Sequence, residues 1–128
     1  MILAAGIDSR FYPAMLVTSK LLLPLYDEPL IYYPFAVLMQ AGLCDIMIIV
    51  TEADEPRFAQ LLGDGSQLGN NIETCIQPTP LGIPDAFRLA ADFIGDGPVA
   101  LMLGDNLLMQ RFSHHQAAGL MMFDGGFE

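Results

Sequence analysis

MILAAGIDSRFYP, Met1 to Pro13, is the stretch whose reading decides the fold. Met1-Ile2-Leu3-Ala4 is an apolar run that gives way to small and polar residues and then to a lone arginine, Arg10. A buried strand emptying into a tight loop is how α/β proteins present backbone N–H groups to phosphate. Gly6 is the one glycine of this loop, so the motif by itself is weakly specific.

A second strand repeats the same edge. Pro98 to Leu103 (PVALML) ends in Gly104-Asp105-Asn106. If both strands run parallel in one sheet, Arg10 and Asp105 emerge at the same carboxyl edge, where open α/β sheets bind ligands. A cation and a carboxylate together there suit a phosphate and its metal.

The intervening chain alternates strand and helix. Pro29 is expected to open a helix running to Ala41, with Pro34 close enough to its start to be tolerated. Apolar residues surround that helix, which predicts burial on more than one side. Gly42 stops it. Ile46 to Val50 (IMIIV) is unbroken and rich in β-branched residues, as in a central parallel strand covered on both faces. Pro56 to Leu62 reads as a short helix with Phe58, Leu61 and Leu62 inward, followed by a turn at Gly63-Asp64-Gly65-Ser66. Ile72 to Ile76 is a strand nearer the sheet edge, and Gln77-Pro78-Thr79-Pro80-Leu81-Gly82 a rigid loop. A helix over Pro84 to Phe93 follows, with Ile83, Phe87, Ala90 and Ile94 on one face. The pattern is α/β with a mostly parallel sheet. Leu107 to Glu128 is least legible and shows no closing element; adjacent His114 and His115 read as a solvated tail.

At 128 residues the chain is one domain or part of one, and 53% hydrophobic content is enough for a core. The longest apolar stretch, Leu30 to Leu43, is too short to span a bilayer. No basic n-region or small-residue cleavage site marks the start, so no signal peptide is expected. A net charge of −10, from 15 acidic and 5 basic residues, argues against a nucleic-acid partner. Cys44 and Cys75 form no framework; both sit among apolar residues, which predicts reduced core cysteines and a cytoplasmic protein.

Four longer stretches then acquire a joint meaning. Ser19 to Pro34 (SKLLLPLYDEPLIYYP), Pro56 to Gly69 (PRFAQLLGDGSQLG), Gln77 to Gly82 (QPTPLG) and Phe93 to Asn106 (FIGDGPVALMLGDN) stand in the order and spacing of the glucose-1-phosphate thymidylyltransferases, which are sugar nucleotidyltransferases. The chain resembles the N-terminal part of that family over residues 2–106. The resemblance implies a Rossmann-like nucleotidyltransferase sandwich, with helices on both faces of the sheet and truncation on the C-terminal side. Residues 1–128 would be a partial nucleotidyltransferase domain, its nucleotide-binding half. In that family an oxygen of glucose 1-phosphate attacks the α-phosphorus of dTTP, giving dTDP-glucose and pyrophosphate for deoxysugar and cell-surface polysaccharide synthesis. By resemblance, Arg10 and Lys20 are the catalytic cations that neutralise the triphosphate, and Gly6 and Ser9 belong to the phosphate loop. Gln77 reads the thymine edge, Gly82 lets backbone approach the nucleoside, and Asn106 supports the site. Asp105 would hold Mg²⁺. Family members are commonly homo-oligomers; no membrane partner is implied.

The departures are specific. Ala5 and Asp8 stand where the family has glycine; the first adds a Cβ near phosphate and the second a carboxylate. Leu21 replaces a glutamine that contacts the base, and Glu28 replaces a lysine at the surface. Pro84-Asp85 replaces Ala-Gln, harmless for a proline at a helix start. The sugar-phosphate lysine and second metal carboxylate of the family come after this chain stops, and missing later strands would leave apolar edge exposed. The chain is therefore expected to be a fragment or a truncated paralogue. Two alternatives stay open: a non-catalytic nucleotide-binding or interaction module with a degenerate loop, and a nucleotidyltransferase using uridine or cytidine nucleotides.

Overall fold

The computed structural model describes residues 1–5, 20–25, 27–104 and 120–123, with backbone alone at 20, 25 and 120–123. The elements run β1 (Ile2–Leu3), a 3-10 turn (Lys20–Leu22), β2 (Pro24–Leu25), β3 (Glu28–Pro29), α1 (Tyr32–Gln40) and β4 (Asp45–Val50). They continue with α2 (Glu55–Leu62), β5 (Asn71–Ile76), α3 (Ile83–Leu89), α4 (Ala91–Ile94), β6 (Val99–Leu103) and β7 (Leu120–Phe123).

Five strands form one sheet in the order β5-β4-β1-β6-β7. β1 is short, yet it is central: Ile2 and Leu3 align with Ile48 and Ile49 on one side and with Met102 and Leu103 on the other. Those pairings and β4–β5 are parallel; β7 runs antiparallel to β6. The chain thus builds outward from β1 through β4 to β5, then returns to β1's other side with β6. That reversal is the topological switch point of an open α/β sheet.

Period-two alternation divides the core in two. Ile46, Ile48 and Val50 pack with Phe35 and Leu38 of α1 and with Phe58 and Leu62 of α2. Met47 and Ile49, on the opposite face, pack with Ala86 and Phe87 of α3 and with Ala90. Helices therefore cover both faces, which explains why β4 is apolar at every position after Asp45. Each of these buried large aliphatic or aromatic side chains contributes roughly 1.5–3 kcal/mol of burial.

Several expectations need correction. Pro29 does not open a helix; it pairs opposite Pro24 in a two-stranded antiparallel ribbon of β2 and β3, a place where proline's missing N–H is tolerated. The helix begins at Tyr32, with Pro34 in its first turn, where N–H groups lack intrahelical partners anyway. Its buried residues, Pro34, Phe35, Val37 and Leu38, lie on one side, and Met39 is 39% exposed, so burial on several sides is not found. The helix expected over Pro84 to Phe93 is two pieces, interrupted at Ala90 (φ −89°, ψ 5°). A closing element does exist: β7, in the stretch expected to have none, pairs antiparallel with β6. Both cysteines are free, as expected; Cys75 is half-buried and packs against the second core cluster, whereas Cys44 is exposed in the α1–β4 connection and not a core residue.

Candidate nucleotide site at the carboxyl edge

The parallel strands end together, and backbone bonds carry the ladder one residue past each. Ala4 N–H donates to Ile49 O (2.7 Å), Gln77 N–H to Val50 O (2.7 Å) and Gly104 N–H to Leu3 O (3.0 Å). Ala4-Ala5, Thr51, Gln77 and Gly104 therefore share the carboxyl edge. Gly104, the residue before Asp105, is bonded directly to β1 at the switch point. The two strands singled out from sequence are parallel neighbours, as expected.

Of the expected site residues, Gln77 and Gly82 are described in full. Lys20 opens the 3-10 turn, with its backbone alone described. Gly6, Ser9, Arg10, Asp105 and Asn106 lie outside the described residues. Gly82 precedes α3 with φ 88° and ψ −167°, a conformation that side-chain-bearing residues rarely adopt.

Gln77 is 1% exposed. Its Nε2 donates to Asp85 Oδ2 at 2.8 Å and, more weakly, to Gly82 O at 3.4 Å, so the side chain ties the loop it opens to the first turn of α3. Asp85 in turn accepts from Arg88 Nε (2.9 Å) and Nη2 (2.7 Å). The Gln77 bond first, and then Arg88, hold the Asp85 carboxyl below the usual aspartate range. Burial first, then the Asp85 charge, pushes the Cys75 thiol up. Asp85 is the Gln77 partner that sequence reasoning missed, because its replacement of glutamine was read beside a harmless proline. The signal was a carboxylate in a helix first turn, eight residues after the candidate base reader.

Two departures from the family pattern find a physical account. Ala5 is 1% exposed and packs with Met47, Ile49 and Phe87, so its methyl group is spent on the core. Leu21, read from sequence as replacing a base-contacting glutamine, is 3% exposed and belongs to the other core cluster with Ile2 and Met102. Elsewhere at this edge, Thr51 Oγ1 donates to Asp54 Oδ2 (2.9 Å), and Asp54 N–H donates back to Thr51 Oγ1 (3.3 Å), closing the start of α2.

A groove of about 1140 Å³, lined in part by Met1, Asp45, Asn71, Phe93 and Val99, opens at the other, amino end of the strands. No group of three metal-binding side chains occurs among the described residues, and no described helix is long and apolar enough to cross a membrane.

The family model described as Nucleotidyl transferase matches residues 1–120. The chain belongs to that family. The glucose-1-phosphate thymidylyltransferase of Actinoplanes sp. (strain SE50/110) is 49% identical over 108 residues, covering 84% of this chain and 36% of the relative. That of Mycolicibacterium smegmatis is 43% identical over 131 residues, covering 96% of this chain and 46% of the relative. A Bacillus anthracis structure presented as a glucose-1-phosphate thymidylyltransferase in complex with a sucrose superposes with a TM-score of 0.79 at 38% identity. It covers 83% of this chain, which in turn covers 43% of it. This nucleotidyl transferase chain thus spans less than half the length of these relatives.

Proposed function

We propose that the chain is the nucleotide-binding half of a glucose-1-phosphate thymidylyltransferase, binding dTTP at the carboxyl edge of β1, β5 and β6. The observation that carries this reading is the switch point itself: Gly104 bonded to Leu3 puts the ends of the two motif-bearing strands side by side. In the reaction a phosphate oxygen of glucose 1-phosphate attacks the α-phosphorus of dTTP. The bond to the β-phosphate breaks and pyrophosphate leaves, without a covalent protein intermediate. Such chemistry depends on positioning and charge neutralisation.

Arg10 and Lys20 neutralise the triphosphate, with Gly6 and Ser9 as its further partners. Gln77 and Gly82 receive the nucleoside, and Asn106 supports the site. Asp105 holds Mg²⁺, its carboxylate oxygen being the hard donor that ion prefers. Bound Mg²⁺ would offset charge on the phosphates. A cytoplasmic setting, a dTDP-glucose product for polysaccharide synthesis and assembly with further copies belong to the same reading. The core position of Leu21 supports one modification: with no glutamine on that side of the base, UTP competes with dTTP more closely than in relatives that retain it.

The test is calorimetric titration of dTTP into the chain with and without Mg²⁺, with UTP as comparator. Mg²⁺-dependent binding of both, with dTTP tighter, is expected. Absence of any nucleotide binding by folded protein refutes the reading and leaves a non-catalytic remnant of the family.

A further inference from the structure

β5 stands at one end of the sheet, and among the described residues no strand pairs with its outer side. The register shows which of its backbone groups face that way. Asn71 N–H donates to Cys44 O (2.9 Å) and Gln77 N–H to Val50 O (2.7 Å), and the ladder between them is parallel and unbroken. Successive residues of a strand turn their N–H and C=O groups to opposite sides, so Asn71, Glu73 and Cys75 bond β4 while Ile72, Thr74 and Ile76 face outward. Ile72 N–H is already taken, by Asp64 O at 2.8 Å. Thr74 and Ile76 keep both groups outward, and both residues are exposed, Ile76 to 40%. The groove of about 1140 Å³ at the amino end of the strands continues along β5, lined there by Asn71, Glu73, Thr74, Cys75 and Ile76. Leu89, Phe93 and Ile94 add apolar surface to it. Its charged side chains are Asp45, Glu73 and Asp92, and no lysine or arginine lines it.

We propose that the outer edge of β5 and the groove beside it dock an extended, basic segment of a partner protein, added to the sheet as a further strand. Main-chain bonds to Thr74 and Ile76 supply affinity, and alternate side chains of the added strand enter the groove. A lysine or arginine there meets Asp45, Glu73 and Asp92 with its charged end, while its methylene stem lies on Leu89 and Phe93. A second copy of this chain is the less favourable occupant. Two β5 edges paired about a two-fold axis near Thr74 bring the two Glu73 side chains together, and like charges opposite one another are destabilising. Each chain also carries a net charge of −10. The docking does not depend on nucleotide at the carboxyl edge.

The probe is a terminally blocked, fluorescent peptide of alternating lysine and valine, as long as β5, titrated into the full chain and followed by anisotropy. It is expected to bind, and amide hydrogen exchange is expected to slow at Thr74 and Ile76, which exchange fast in the free chain, with Cys75 slow in both states. A peptide of alternating glutamate and valine is expected to bind about tenfold more weakly or less. Glu73→Lys weakens the lysine peptide about fivefold, since an attraction becomes a repulsion. Thr74→Pro removes one outward N–H, spares the bonds to β4, and weakens binding about tenfold. Should the proline variant not fold, the lysine peptide N-methylated at every residue replaces it, and is expected to lose binding. No binding by folded chain, equal binding of the glutamate peptide, or binding without protection of Thr74 and Ile76 overturns the proposal. Slow exchange of those two amides in the free chain, as a monomer or as a dimer seen by sedimentation, shows that the chain itself or a second copy covers the edge, and overturns it too.

Discussion

Replacing Gly104 by alanine is the sharpest probe of the junction between β1 and β6. A Cβ at that position would overlap Leu21 Cδ1, and would lie 3.2 Å from Leu21 Cδ2 and 3.2 Å from the Leu3 carbonyl oxygen. The Leu3 oxygen is not free to retreat, because it already accepts from Gly104 N–H, and Leu3 is paired on both sides. Leu21 must therefore yield, and at 3% exposure it has little room. Overpacking of this kind costs ~1–3 kcal/mol. Leu21→Ala alone leaves a cavity and costs ~2–5 kcal/mol. In the double variant the new methyl enters the space that Leu21 vacates, so the combined loss should fall short of the sum by ~1–3 kcal/mol. Urea unfolding followed by circular dichroism, with unchanged slopes, reads all four corners of the cycle. Additive losses, within ~0.5 kcal/mol, would show that Leu21 does not seal the switch point and would refute the packing argument.

Other outcomes are equally specific. Gly82→Ala should lose about 1–3 kcal/mol in urea unfolding, since alanine is strained at φ 88°, ψ −167°. Phe58→Ala, deleting a ring that is 1% exposed between α2 and the sheet, should cost about 3–5 kcal/mol by the same assay. Burial lowers the pKa of the Met1 amine of this chain to about 6. The unfolded chain therefore holds that proton up to higher pH, so stability should rise from pH 6 to 8, with a slope of at most ~1.4 kcal/mol per pH unit. Acetylating the amine should abolish this dependence in pH-stepped thermal melts. Iodoacetamide should label exposed Cys44 well before Cys75, whose thiol is shielded and raised, as peptide mapping would show.

Legibility followed the length scale of the interaction. Ile46 to Val50 was readable because a strand buried on both faces needs apolar residues at every position, whatever lies around it. The same holds for Val99 to Leu103, and Phe58 and Leu62 marked α2 by their spacing alone. Pro29 misled because its rigid φ suits a helix start and a short ribbon equally well; only its pairing with Pro24 decides between them. Leu120 to Phe123 is a four-residue apolar run whose strand character exists through its pairing with β6. The break at Ala90 lies within an otherwise continuous helical pattern. At the site, Gln77 and Gly82 were singled out through family motifs, and the fold puts Gln77 at the carboxyl edge with Gly82 ending the loop it opens. Asp85 could not be, because its importance is a contact eight residues away across a loop. Leu21 was read as the loss of a base contact; the structure puts it in the core with Ile2 and Met102.

In the proposed site, nucleotide binds where β1, β5 and β6 end. Backbone amide chemical shifts, followed by NMR during titration with Mg²⁺ and dTTP, test it most directly. Changes are expected at Ala4, Ala5, Gln77, Gly82 and Gly104, with Asp45, Asn71 and Val99 at the other end of the strands unmoved. Changes concentrated at those amino-end residues, or none at the carboxyl edge, would contradict it.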